Sequence, residues 1–213
     1  TYTINDATVP NFVDAVNTSL NFRRYQNFTA NITINNSALS SYIFSTNASG
    51  TWTNSSPVSI SGVQYNSSTH TNISLAKDGE ICWYYWANDS NDNNVSSTTY
   101  CFVVENTAPT FNESLENKTI TVDNLLSYDI NCSDIDDSTI TYYDNTSLFE
   151  INSSLGIIND TPTSSEKGTY VINISCDDGT INSSSTFIYT IQAAAEEEAE
   201  EEETAEGGEA EGE

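Results

Sequence analysis

The sequence predicts an all-β chain: two tandem β-sandwiches followed by a disordered or weakly helical acidic tail. Three observations predict it. Residues 11–192 are rich in Thr, Ile, Val, Tyr and Phe, in short alternating runs interrupted by Asn, Ser, Asp and Gly, which is strand composition with turn punctuation. No helical period of useful length appears before the tail. Four cysteines, Cys82, Cys101, Cys132 and Cys176, fall as two pairs, one pair in each half.

Taken in order, residues 1–10 are a lead with Tyr2 and Ile4 on one face. This lead reads equally as the last strand of a preceding domain, as a strand donated to a neighbouring subunit's open edge, or as a disordered end. Residues 11–105 form the first sandwich. In 27–35, Phe28, Ala30, Ile32 and Ile34 share one face and Asn27, Thr29, Asn31, Thr33 and Asn35 the other, a half-buried strand. Segments 80–88 and 97–104 make a hairpin around a loop from Asp89 to Ser96. Its register sets Cys82 against Cys101, Trp83 against Tyr100 and Ile81 against Phe102. Ile81, Trp83, Tyr85, Tyr100 and Phe102 then face the core, and Cys82, Cys101, Tyr84 and Trp86 face outward. Residues 106–109 are the linker, closed by Pro109, which ends any strand there.

Residues 110–192 form the second sandwich. Tyr128, Ile130 and Cys132 alternate with Asp129, Asn131 and Ser133, and Tyr170, Ile172, Ile174 and Cys176 alternate with Val171, Asn173, Ser175 and Asp177. The expected bridges are therefore Cys82–Cys101 across the hairpin and Cys132–Cys176 inside the second core, each worth roughly 2–4 kcal/mol. Residues 193–213, nearly all Glu, Ala and Gly, cannot bury a core.

Eighteen Asn-x-Ser/Thr triplets occur, at Asn17, Asn27, Asn31, Asn35, Asn47, Asn54, Asn66, Asn72, Asn88, Asn94, Asn112, Asn117, Asn131, Asn145, Asn152, Asn159, Asn173 and Asn182. Chance placement of this chain's Asn, Ser and Thr gives about seven. The triplet has the period of a strand: Asn and Ser/Thr face water while the middle residue faces the core. The excess points to covalent N-glycans and an extracellular or cell-surface location, which the even cysteine count supports independently.

The formal charge is −26, and the eleven Glu of the tail leave about −15 on residues 1–192, whose only bases are Arg23, Arg24, Lys77, Lys118 and Lys167. Nothing here would neutralise phosphates, which excludes nucleic-acid binding and attraction to anionic lipid. No run of about 18 apolar residues is present and no signal-peptide pattern, so the chain reads as a mature form or a fragment without direct membrane insertion. Catalysis lacks its parts: His70, the one histidine, sits in a polar stretch, the cysteines are committed to bridges, and no glycine-rich phosphate loop exists. No cofactor is required.

The second half resembles the dystroglycan-type cadherin-like (putative immunoglobulin) family. The residues that carry the likeness run from Tyr128 through Cys132 to Asp136, then Ile140-Thr141-Tyr142, Phe149-Glu150-Ile151, Leu155-Gly156-Ile157-Ile158, Thr161-Pro162-Thr163, Gly168-Thr169-Tyr170, Asp178-Gly179 and Phe187 to Ile191. The first half resembles immunoglobulin-like modules of archaeal surface proteins, through Ile81 to Asp89 and Tyr100-Cys101-Phe102. The resemblance implies adhesion, envelope or appendage roles. It also implies an interdomain Ca2+ site: Asp134 and Asp136 match the Asp-x-Asp loop, Asp177 or Asp178 the later aspartate, and Glu105 the acidic linker. The linker Glu105-Asn106-Thr107-Ala108-Pro109 departs from the family pattern by losing two carboxylates.

The expected function is thus a non-enzymatic, heavily N-glycosylated structural or adhesion protein: a surface layer (S-layer), an adhesin stalk or a strand-complemented filament subunit. Its partners would be other surface proteins or copies of itself, with residues 1–10 the candidate donated strand. The alternative is a carbohydrate- or receptor-binding module using Tyr84 and Trp86 as outward aromatic faces.

Overall fold

The structure, a computed structural model, describes residues 7–194. The expectations placed on residues 1–6 of the lead and on 195–213 of the tail lie outside the described residues. The first sandwich comprises β1 (Asn11–Thr18), β2 (Asn27–Asn35), β3 (Leu39–Thr46), β4 (Thr53–Asn54), β5 (Val58–Ser59), β6 (Gln64–Asn72), β7 (Glu80–Asp89), β8 (Asn94–Ser96) and β9 (Tyr100–Val103). The second comprises β10 (Thr110–Phe111), β11 (Lys118–Thr121), β12 (Leu126–Asp129), β13 (Cys132–Ser133), β14 (Thr141–Asp144), β15 (Ile157–Asp160), β16 (Gly168–Asp177) and β17 (Asn182–Gln192), with one 3-10 turn at Ser164–Glu166.

In the first sandwich the sheet β1-β2-β6 packs on the sheet β4-β3-β7-β8, to which β5 and β9 add through β3 and β7. The alternation of β2 does what its pattern requires: Phe28, Ala30, Ile32 and Ile34 are buried against Tyr42, Phe44, Trp83 and Tyr85 from the facing sheet. Tyr85 buries its ring on β7 and sends its hydroxyl across the core, 3.1 Å from the Ala30 carbonyl and 2.7 Å from Thr69 Oγ1, while Ser67 donates to it. A buried phenol needs such partners, and burial pushes its pKa up.

The β7–β9 register pairs Cys82 with Cys101, Trp83 with Tyr100 and Ile81 with Phe102, as expected. The expected single return arm 97–104 is instead two strands, β9 within it and β8 in the segment expected as loop. Near the turn Trp86 pairs with Ser96 and Asn88 with Asn94, so the register slips by one residue before Tyr100. Ser97 absorbs the slip by accepting from Tyr85 N at its Oγ (3.0 Å) and donating its own N–H to Tyr85 O (2.7 Å). The turn shrinks to residues 90–93 because the buried Asp89 carboxylate accepts from Asn91 N, Asn93 N and Asn93 Nδ2 at 2.8–2.9 Å.

In the second sandwich β11-β17-β16-β14 form one sheet, with β11 parallel to β17. The opposing strands pair as β10-β13 and β12-β15. The run 128–133 keeps its alternation, with Ile130 buried, but it splits between these two pairs and so changes partner midway. Disulfides join Cys82 to Cys101 and Cys132 to Cys176. The second ties β13 to β16 within a core that also holds Ile158, Ile172, Ile174, Phe187 and Tyr189.

Candidate functional site

Two places gather chemistry: the junction between the sandwiches and the outer face of β7. At the junction, the β1–β2 loop brings Arg23 and Arg24 and the β6–β7 loop brings Lys77, three of the chain's five bases. The second sandwich answers with the β13–β14 loop, carrying Asp134, Asp136 and Asp137, and the β16–β17 turn, carrying Asp178. Arg24 Nη1 donates to Ile135 O at 3.1 Å and Lys77 Nζ to Asp137 Oδ2 at 2.5 Å. The linker joins in: Asn106 Nδ2 donates to Asp178 Oδ2 (2.8 Å) and Thr107 N to Asp136 Oδ2 (3.0 Å).

Each loop is shaped by its own aspartate. Asp134 Oδ1 accepts from Asp136 N and Asp137 N at 2.6 and 2.8 Å, and Asp178 Oδ1 accepts from Thr180 N and Ile181 N at 2.7 and 2.8 Å. The result brings carboxylate oxygens of Asp134, Asp137 and Asp178 within 4.8 Å of one another. Unit negative charges that close repel by roughly 4 kcal/mol at an effective dielectric near 20, so the cluster favours a nearby cation. Lys77 supplies one charge. Four further oxygens here, Asp134 Oδ2, Asp136 Oδ1, Asn106 Oδ1 and Thr107 Oγ1, are sealed from solvent with no hydrogen-bond partner. Buried oxygens without partners call for an ion or water. The three carboxylates and these buried oxygens are hard oxygen donors, the kind that Ca2+ takes. This acidic cluster has the chemistry of a Ca2+ site.

The ligand set differs from the one the sequence implied. Asp134 belongs to the acidic triad, and Asp136 stands beside it, its Oδ2 accepting from Thr107 N. Asp177 instead caps its own turn, Oδ1 accepting from Gly179 N at 2.7 Å, and its neighbour Asp178 enters the cluster. Glu105 is more than half exposed and lies 4.0 Å from Arg23 Nε. From the linker it is Asn106 and Thr107 that reach the acidic loops, each with a buried oxygen that lacks a partner. Asp137 was missed, although a third acid within one short loop was the available signal.

Titration follows from these contacts. The hydrogen bond from Lys77 to Asp137 raises the ammonium pKa despite some burial, aided by the charges of Asp137, Asp178 and Asp78. Burial pushes Asp178 up, but the Ile181 N–H, the Asn106 amide, the Thr180 N–H and Lys77 outweigh it and hold the carboxyl below the usual range. A depressed carboxylate stabilises the fold above its unfolded pKa and loses that stabilisation as pH falls through its folded value. A raised lysine stabilises below about pH 10.5 and loses it above. The junction should therefore loosen below about pH 4. Limited proteolysis should cut within 105–109 faster at pH 3 than at pH 7 while both cores stay resistant; equal rates would contradict the linkage.

On the outer face of β7, Tyr84 and Trp86 are half-buried and point away from the core, as expected. The structure adds Trp52, half exposed in the β3–β4 loop, whose ring centroid lies 5.3 Å from that of Tyr84. A shallow groove of about 230 Å3 is lined by Ile43, Ser45, Asn54, Tyr84, Trp86 and Ser96. Aromatic floor and hydroxyl or amide rim together suit a sugar ring.

None of the eighteen triplet asparagines is buried. Their middle residues Phe28, Ile32, Ile73 and Ile174 are, at 0–2% exposure, and Cys132 is half-buried. Asn47 is tied at both ends of its amide to the start of β7: Oδ1 accepts from Cys82 N at 2.7 Å and Nδ2 donates to Glu80 O at 3.1 Å. Asn47 should thus stay unmodified where its neighbours carry glycan. Glycopeptide mapping checks this, and full occupancy at Asn47 would refute it.

No family model matches this chain, and no curated protein does. Among solved structures it is similar to the titin domains Z1Z2 in complex with telethonin, at 14% identity over 89% of this chain and 99% of that one, with a TM-score of 0.44. It is also similar to Drosophila N-cadherin EC1-3, at 17% identity over 89% of this chain and 69% of that one, TM-score 0.38. A titin I-band fragment, I67-I69, gives 13% identity over 87% and 66%, TM-score 0.37. The likeness is one of fold.

Proposed function

We propose that this chain is a non-enzymatic, N-glycosylated extracellular module of a structural or adhesive surface protein, such as a surface layer, an adhesin stalk or a filament. Its work is to hold two disulfide-braced sandwiches in fixed relation, with Ca2+ at the junction as the brace between them. The observation that supports the reading is that all eighteen triplet asparagines stand clear of both cores, while the triplet residues Phe28, Ile32, Ala48, Ile73 and Ile174 are buried in them. Disulfide-bonded β-domains suit an oxidising compartment. No helix among the described residues is long and apolar enough to cross a membrane. Neighbouring copies or other surface proteins are the proposed partners, with glycans shielding exposed sheet edges from unwanted pairing.

Intact-mass measurement of native material, before and after deglycosylation, tests the reading. The expected result is a large mass loss, with glycan mapped to many of the eighteen asparagines. Bare asparagines throughout, or four free thiols, would overturn it.

A further inference from the structure

We infer that the outer face of β7 is the resting place of the chain's own N-glycan, carried on Asn94. The inference rests on the glycoprotein reading and adds to it where one sugar chain lies. The observations are positional. Along β7 the outward residues run Tyr84, Trp86, Asn88, about 7 Å apart. On β8, Asn94 pairs with Asn88 and Ser96 with Trp86, so Asn94 stands on the same face, diagonal to the Trp86 ring at a reach of about 7–8 Å. The triplet that begins at Asn94 ends at Ser96, which itself lines the groove beside Trp86.

Three acceptor asparagines border this face, and burial and strand position separate them: Asn94 is on β8, directly beside β7, whereas β4 is separated from β7 by β3. Asn88 is half-buried and its Oδ1 accepts from Ser41 Oγ at 2.7 Å. Asn54 lies on the short outer strand β4, its Oδ1 held by Ser45 Oγ at 2.8 Å. Asn94 is exposed, and its Nδ2, the atom that would carry the sugar, keeps one N–H after linkage for the bond to Asp92 O (3.2 Å). A sugar chain leaving Asn94 meets Trp86 first, then Tyr84 and Trp52. The CH faces of its rings cover apolar surface that water would otherwise wet, while the exposed Ser96 hydroxyl meets its polar edge. Being tethered, the first sugars act at an effective concentration near millimolar, far above any free competitor.

Tryptophan accessibility reads the arrangement directly, because Trp83 is fully buried and silent while Trp52 and Trp86 report. The test uses protein from a glycosylating host and acrylamide quenching of tryptophan fluorescence. Enzymatic deglycosylation and Asn94→Gln should each raise quenching by roughly two- to tenfold, the range one aromatic contact supplies. Asn88→Gln and Asn54→Gln should leave it unchanged, and Trp86→Ala should remove most of the increase. Quenching that is indifferent to Asn94→Gln while Asn94 is mapped as occupied would overturn the inference alone. So would a bare Asn94 beside occupied neighbours, or an effect moved to Asn88 or Asn54. Bare asparagines at every position would overturn both this and the glycoprotein reading.

Discussion

Gly156→Ala should unfold the second sandwich well before the first. Gly156 has φ +70°, and a Cβ there would stand 2.2 Å from the Ile130 carbonyl oxygen and 2.9 Å from the Tyr142 ring. Neither neighbour can give way. The Ile130 peptide is locked by its N–H donating to Gly156 O at 3.0 Å, and the Tyr142 hydroxyl accepts from Cys132 N at 3.0 Å. Left-handed strain of about 1–2 kcal/mol adds to an overpacking cost of about 1–3 kcal/mol. At 4–8 °C per kcal/mol for a domain of this size, the second transition should fall by roughly 10 °C or more. The first sandwich has its own core and should melt unchanged, since distant sites add independently. Differential scanning calorimetry resolves this: two shifted transitions, or none, would show that the close approach at Gly156 is not what fixes the second core.

Removing Ca2+ should lower the melting temperature, and Asp134→Asn should abolish that dependence. An ion that binds the folded state alone stabilises it by about 2.7 kcal/mol at a hundred times its dissociation constant. That places the expected loss on EDTA addition among the larger effects available to this chain. Asp134 is the residue to change because one oxygen shapes the loop while the other is sealed and unpartnered. Lys77 supplies a second handle. Its ammonium neutralises part of the triad that a divalent ion would meet, so Lys77→Gln should tighten Ca2+ binding by about tenfold, as removal of a like charge a few ångströms away requires. Isothermal titration measures it. A melt that ignores EDTA in wild type would show that Lys77, Arg24 and water satisfy the junction without an ion.

Much of the fold was legible in the sequence because its determinants are local. The alternation at 27–35 states which residues enter the core, and the structure buries Phe28, Ala30, Ile32 and Ile34 accordingly. The same two-residue period placed Cys82 against Cys101 and put Cys132 and Cys176 within bridging reach. Local pattern failed where a strand changes partner. Residues 128–133 read as one strand but serve two pairs, and 97–104 read as one arm but slips at Ser97. Alternation survives both events, so it carries no trace of them.

The candidate sites were legible only in outline. Tyr84 and Trp86 followed from strand parity, whereas Trp52 joins them from a loop that has no period. Asp134 and Asp136 followed from a resemblance, whereas Asp137, Asp178, Asn106 and Thr107 meet because two loops and a linker converge at one end of each sandwich. The sequence by itself determined the β class, the buried faces of its clearest strands and the cysteine pairs, because each depends on side-chain parity along a strand. Only the tertiary structure decided which loops meet at the junction, which oxygens are left without partners there, and which rings lie side by side on β7. Those are matters of contact between segments far apart in the chain, and they are set by how the sheets pack.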